Sequence, residues 1–140
     1  LMVDGYNSRV NAGASWQAYQ MGAQSGLTTT GANYVALSTT NITPAATDTT
    51  LSGEVTFTGL SRQQGTFTYT STPASLSTSA QYTISKTFTS AFGSATTIQS
   101  AALFTAGGPP PAGVLFVEAA ITQATLNSGD QLVLTWTVNI

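Results

Sequence analysis

Cysteine and histidine are both missing from this 140-residue chain, and charged side chains make up just 6% of it. Without cysteine there is no disulfide, thiolate or iron–sulfur chemistry, and redox compartment leaves no trace in the sequence. Without histidine the Ser–His–Asp arrangement is excluded, together with most general-base designs and the commonest zinc ligand. The three basic residues, Arg9, Arg62 and Lys86, are too few and too scattered to neutralise a phosphate track, so no nucleic-acid partner is expected. A formal net charge of −2 is too small to imply a cationic partner. No apolar run approaches the roughly 20 residues that span a bilayer as a helix, and no membrane association is expected. The first residues, LMVDGYNS, carry no basic region followed by an apolar stretch, so no secretory leader is read there; Leu1 in place of methionine is compatible with processing.

What is present is a core and an uncharged polar coat. Hydrophobic residues make up 41% of the chain, and a domain of this size buries roughly 68% of its unfolded surface. Polarity comes from Thr, Ser, Gln and Asn, with Thr the commonest. Hydroxyl and amide surfaces carry little long-range field and little self-repulsion, which suits a subunit packed against copies of itself.

Residues 1–8 lack periodicity and read as an N-terminal arm; residues 9–140 read as a single domain. In RVNAGASWQAYQMGAQSG, Val10, Ala14, Ala18 and Met21 recur at helical spacing, with Asn7 or Ser8 as N-cap and Gly22 or Gly26 as stop. Gly13 weakens that helix by about 1 kcal/mol relative to Ala. From residue 33 the period becomes two. NYVALS reads as a strand, TNITPAATDTT as a loop broken by Pro44, and GEVTFTGL as a short strand or bulged segment ended by Gly59. RQQGTFTYTST sets Phe67 and Tyr69 against Thr66, Thr68 and Thr70. After a turn containing Pro73, AQYTISKTFTS sets Tyr82, Ile84, Lys86 and Phe88 against Thr83, Ser85, Thr87 and Thr89. ATTIQSAALFTA is the next strand, and GGPPPAG reads as an exposed, stiff, extended turn. VLFVEAAI is apolar enough for a strand covered on both faces. In the final LVLTWTVNI, Leu132, Leu134, Trp136, Val138 and Ile140 share one face. Six to eight short strands between Gly, Pro, Asn and Ser clusters predict a mainly β fold, an antiparallel β-sandwich or jelly-roll-like barrel with one short N-terminal helix.

The candidates for chemistry are few. Lys86, in YTISKTFT, reads as an edge or rim lysine that discourages sheet aggregation rather than as a base. A glycosidase needs two carboxylates across a cleft, to be found among Asp4, Asp48, Glu54, Glu118 and Asp130. Asp48 (ATDTT) and Asp130 (NSGDQ) sit where short acids bond turn backbone, and neither lies in a dense acidic loop of the kind that binds calcium. Glu54 opens a strand. Glu118 interrupts an apolar run; it reads as an edge or subunit contact, with Arg62 or Arg9 as partner, ahead of a catalytic acid. Trp16 and Trp136 could form a sugar platform with Tyr19, Tyr34 or Tyr82, but Trp136 shares the apolar face of its strand and reads as core. Trp16 reads as packing on the sheet or anchoring a neighbouring subunit. No catalytic, cofactor-binding or metal-ligating residue is assigned.

Several stretches resemble a family of small β-rich virion proteins of tailed bacteriophages. RVNAGASWQAYQMG is similar to its opening Val-Asn-x-Gly helix, and NYVALSTTNITPAATDTTLSGE to its strand, Pro-Ala-Ala-Thr-Asp-Thr loop and following Leu…Glu segment. GLSRQQGTFTYT, YTISKTFTS, TTIQSAALFTA and LFVEAAITQATLNSGDQLVLTWTVNI resemble its later strands, and GGPPPAG is longer than the family pattern. The likeness covers nearly all of residues 9–140 and its motifs are structural. Members are capsid decoration (cement) proteins or tail and tail-fibre components, and no catalytic residue comes with the family. The resemblance therefore implies a non-enzymatic virion structural protein, first of all a decoration protein on the outer capsid surface that stabilises the head lattice. Its expected partners are the major capsid protein and copies of itself, with a trimer favoured by analogy. The alternatives are a tail or tail-fibre component and a host-surface carbohydrate-binding module.

Overall fold

Where apolar and polar residues alternate, the chain forms strands. A computed structural model describes residues 8–13, 31–70 and 81–139. Among them are eight strands: β1 (Ser8–Arg9), β2 (Tyr34–Ser38), β3 (Gln63–Gln64), β4 (Thr66–Thr70), β5 (Gln81–Thr89), β6 (Thr96–Phe104), β7 (Leu115–Leu126) and β8 (Gln131–Asn139). They build two sheets, ordered β1-β7-β6-β2-β3 and β4-β5-β8, and every pairing is antiparallel. The result is the expected sandwich, with no closed barrel. Residues 11–13 are helical, consistent with a short N-terminal helix. The rest of that helical stretch, the arm up to residue 7, Trp16, Tyr19, Asp4, the Pro73 turn and Ile140 lie outside the described residues.

The main core lies between the sheets. β5 and β8 contribute Ile84, Phe88, Leu132, Leu134 and Trp136; the larger sheet contributes Val35, Leu37, Ile98, Leu103 and Val117 among others. Each fully buried side chain of this kind stabilises the fold by about 1.5–3 kcal/mol. β8 reads as the sequence predicts: Leu132, Leu134 and Trp136 are buried while Val133 is 41% exposed. It pairs with β5 over its full length, from Thr89↔Gln131 to Gln81↔Asn139.

A second, smaller core covers the outer face of the larger sheet. Val10, Ala36, Leu51, Ala102, Phe104 and Leu115 meet there, with Ile42 packed alongside. The long loop between β2 and Glu54 supplies Ile42 and Leu51 and so acts as a lid on that face. Coverage on both sides explains why β2 and the first half of β7 are buried almost residue by residue.

Four expectations are corrected. GEVTFTGL is not a strand: Glu54 forms a single bridge to Ser38, and Phe57–Ser61 fold into a turn in which Leu60 and Ser61 donate to the Phe57 carbonyl. Its apolar Val55 and Leu60 are buried as loop anchors rather than as a sheet face. RQQGTFTYTST is two strands in different sheets, divided at Gly65, where the chain crosses the sandwich. A Cβ at Gly65 would lie 2.5 Å from Ile84 Cγ2, so the crossing tolerates no side chain. Residue 8 belongs to the sheet, since Ser8 and Arg9 pair with Glu118 and Val117, so the boundary between arm and domain falls before β1. The GGPPPAG loop is exposed but folded back, not extended: Ala112 N–H donates to the Pro109 carbonyl at 3.2 Å around a cis Pro110–Pro111 bond. Gly13, costly to a helix, has a compensating role. A side chain there would collide with the backbone carbonyl of Phe116, so glycine permits the N-terminal segment to lie directly on β7.

Candidate functional site

Glu118 sits mid-strand in β7 opposite Ala102 of β6, on the face covered by the 39–53 loop. It is 2% exposed. The loop above it is held by two fully buried serines. Ser38 Oγ receives the Thr40 N–H at 2.9 Å and donates to the Ser52 carbonyl. Ser100 Oγ, from β6, receives the Ile42 N–H at 3.1 Å and donates to the Thr40 carbonyl at 2.7 Å. Asn11 N–H reaches the Ala46 carbonyl at 2.7 Å, which ties the N-terminal segment to the same loop. Asp48 closes the turn at the loop's apex, accepting the Ala45 N–H at 2.8 Å.

This scaffold brings Asp48 onto Glu118. The two side chains border one cavity, and their environments push them apart in acidity. Burial, the bond to Asp48 and the Asp48 charge raise Glu118 to about 7, against a weaker lowering influence of the Ala45 backbone. The bond from Glu118, then the Ala45 backbone, lowers Asp48 below its usual value, with desolvation acting weakly in the other direction. Glu118 therefore holds its proton to higher pH than Asp48 does. The second oxygen of Glu118, Oε1, is buried and finds no hydrogen-bond partner among the described residues. A cavity of ≈ 330 Å³ adjoins the pair, lined also by Thr40, Ile42, Thr43, Thr50 and Ser52.

Sequence reasoning missed this pairing. Of the two partners named for Glu118, the Arg9 side chain lies outside the described residues and Arg62 is committed elsewhere: its Nε and Nη2 bond the two carboxylate oxygens of Glu54, each at 2.8 Å. Its Nη1 donates to the carbonyls of Ala106 (3.0 Å) and Ala112, and the guanidinium lies 3.5 Å from the Phe104 ring centroid. Arg62 thus rivets the turn after Glu54 to the proline-rich loop, and Glu54 serves as its counter-ion. Glu118 is an inward-facing, loop-covered side chain, not an exposed edge contact. The available signal was weak: an acid in an apolar run asks for a buried partner, and the Asp in a loop that must fold back across the sheet is one candidate.

The other assignments fall out as follows. Asp130 bonds turn backbone as expected, accepting Asn127 N–H at 2.7 Å. Lys86 lies in the middle strand of its sheet, but β4 ends opposite Ser85, so from Lys86 onward β5 is paired with β8 alone among the described strands. Trp136 is 5% exposed and belongs to the core. Among described residues, the exposed aromatics are Phe57, Phe67 and Phe92; Phe57 and Phe92 stack on each other with centroids 4.4 Å apart. Phe67 packs against the half-buried Tyr82, with ring centroids 5.4 Å apart. No group of three or more potential metal-ligating side chains occurs among the described residues.

The outer face of the smaller sheet differs in kind. Thr66, Thr68, Thr83, Ser85, Thr87, Thr89, Gln131, Val133, Thr135 and Thr137 line it, none charged and most exposed. Ser85 and Thr135 hydroxyls bond across strands at 3.0 Å. Comparison with protein families, curated proteins and solved structures finds no match to this chain.

Proposed function

We propose that this chain is a non-enzymatic structural subunit of a virion, and specifically a decoration protein that clamps the head lattice of a tailed bacteriophage. The observation that carries the reading is the uncharged hydroxyl face of the β4-β5-β8 sheet. A broad, regular surface without ionic groups docks against protein without desolvating charge, and copies of it do not repel one another. Two further features support contact as the task. β8 pairs with one strand among the described residues, which leaves a nine-residue edge, and the Phe57–Phe92 stack places exposed apolar area on a turn. The sandwich body supplies rigidity. Contacts made only in the assembled lattice then stabilise it by mass action. The partners in this reading are the major capsid protein and copies of the chain itself, as a symmetric oligomer.

Copy number tests it. In purified particles, quantified gel bands should give hundreds of copies, in register with the head lattice under electron microscopy. A handful of copies would move the protein to the tail, and its absence from particles would end the virion reading.

A further inference from the structure

We propose that Asp48 and Glu118, with the oxygen-lined cavity beside them, form a binding site for a hard divalent cation, calcium in the first place, which tethers the 39–53 loop to β7. Two acids alone would not justify this. The argument rests on Glu118, a cavity-lining side chain 2% exposed whose Oε1 is buried and without a hydrogen-bond partner among the described residues. Buried polar atoms are nearly always satisfied, by protein, by ordered water or by an ion.

The lining defines what that is. Besides the two carboxyls, Thr40, Thr43, Thr50 and Ser52 border the cavity, so its polar side chains offer oxygen and no nitrogen or sulfur. Such a donor set suits hard cations and discriminates against zinc and copper. Calcium accepts six to eight oxygens in irregular geometry, whereas magnesium demands a near-ideal octahedron and keeps much of its water. The cavity, ≈ 330 Å³, has room for an ion with several waters.

Charge suits it as well: two carboxylates facing one divalent cation make a neutral site. With two carboxylates the affinity belongs in the weak range, about 10⁻⁴–10⁻³ M. The consequence is mechanical. The loop carries Leu51 and Ile42 into the smaller core and holds the N-terminal segment through Ala46, so the ion would fasten three parts of the outer layer at once.

The inference stands apart from the virion reading and is tested on the full chain in solution. After treatment with EDTA and dialysis at pH 7.5, adding 5 mM CaCl₂ should raise Tm by about 4 °C. The same concentration of MgCl₂ should act less. Glu118→Gln, close in shape to the protonated acid and able to keep a hydrogen bond to Asp48, should cut the calcium shift below about 1 °C. Calorimetric titration of the wild type with CaCl₂ should show saturable binding heat. Absence of both heat and Tm shift overturns the proposal. So does an undiminished calcium response in Glu118→Gln.

Discussion

The two outer faces of the sandwich are built on opposite plans. The β4-β5-β8 face is uncharged, hydroxylated and largely exposed, its polar groups turned to solvent or to one another. The face of the larger sheet is roofed by the 39–53 loop, and its polar groups, Ser38, Ser100 and Glu118, are buried and spent on holding the roof. Serine and threonine are common on both, yet they do different things. On the bare face a hydroxyl contributes little to the fold and is available to a partner; beneath the loop it replaces the sheet ladder that an irregular segment cannot make.

The sharpest break in the comparison lies across β8, whose two sides belong to the core and to the bare face. Trp136→Ala should destabilise the isolated domain by about 3–5 kcal/mol, as expected for large-to-small changes in a packed interior. Val133→Ala, three residues earlier on the bare face, should stay within about 0.5 kcal/mol. Chemical unfolding curves followed by far-ultraviolet circular dichroism measure both, and a Trp136→Ala midpoint equal to that of the wild type would contradict the core placement.

Acidity separates the faces next. Glu118 keeps its proton in the fold up to about 7, whereas the unfolded chain loses it near 4.5. Between those values the folded state binds more protons than the unfolded one, so stability falls as pH rises, by about 3 kcal/mol at most. Asp48, lowered in the fold, contributes in the opposite sense: its stabilisation is present above its usual value and is lost as pH drops through the folded one. The pair alone therefore places the optimum at about pH 4–5. Urea midpoints measured in EDTA at pH 5 and pH 7.5 should differ in the wild type and converge in Glu118→Gln. A wild-type midpoint that rises from pH 5 to pH 7.5 would mean that Glu118 is ionised in the fold.

How much of this was legible depended on the range of the interaction. The final strand could be read residue by residue because its face is set by a period of two, and the register with β5 leaves that period intact. The strands NYVALS and TTIQSAALF were legible for the same reason. RQQGTFTYTST hid its break, because a crossing between sheets keeps the β-like composition on both sides and differs by one glycine. GEVTFTGL alternates well enough to pass for a strand, yet Val55 and Leu60 are buried by the loop's own turn. The carboxyl pair was least legible: Asp48 and Glu118 are 70 positions apart, and they meet because two buried serines fold the intervening loop across β6 and β7. Local pattern records neither the fold-back nor the serines' role, since Ser38 and Ser100 look like any other member of a Ser- and Thr-rich chain.

The smallest expected effect on stability is the one most telling for function. Thr135 is exposed, and its hydroxyl bonds that of Ser85 at 3.0 Å. Thr135→Lys removes that exposed bond and places an ammonium in the middle of an uncharged field. For the isolated domain the change should be within about 0.5 kcal/mol, because the site is solvated and the lysine stem can lie along the sheet. For a docked face it is another matter: burying an unpaired charge costs several kcal/mol, enough to abolish an interface of ordinary affinity. The variant should therefore melt like the wild type and yet fail to incorporate into particles, whereas Thr125→Lys, on β7 of the larger sheet, should incorporate normally. Equal incorporation of both variants would remove the bare sheet from the interface while leaving the fold and the carboxyl pair untouched, and contact would then have to run through the β8 edge or the Phe57–Phe92 turn.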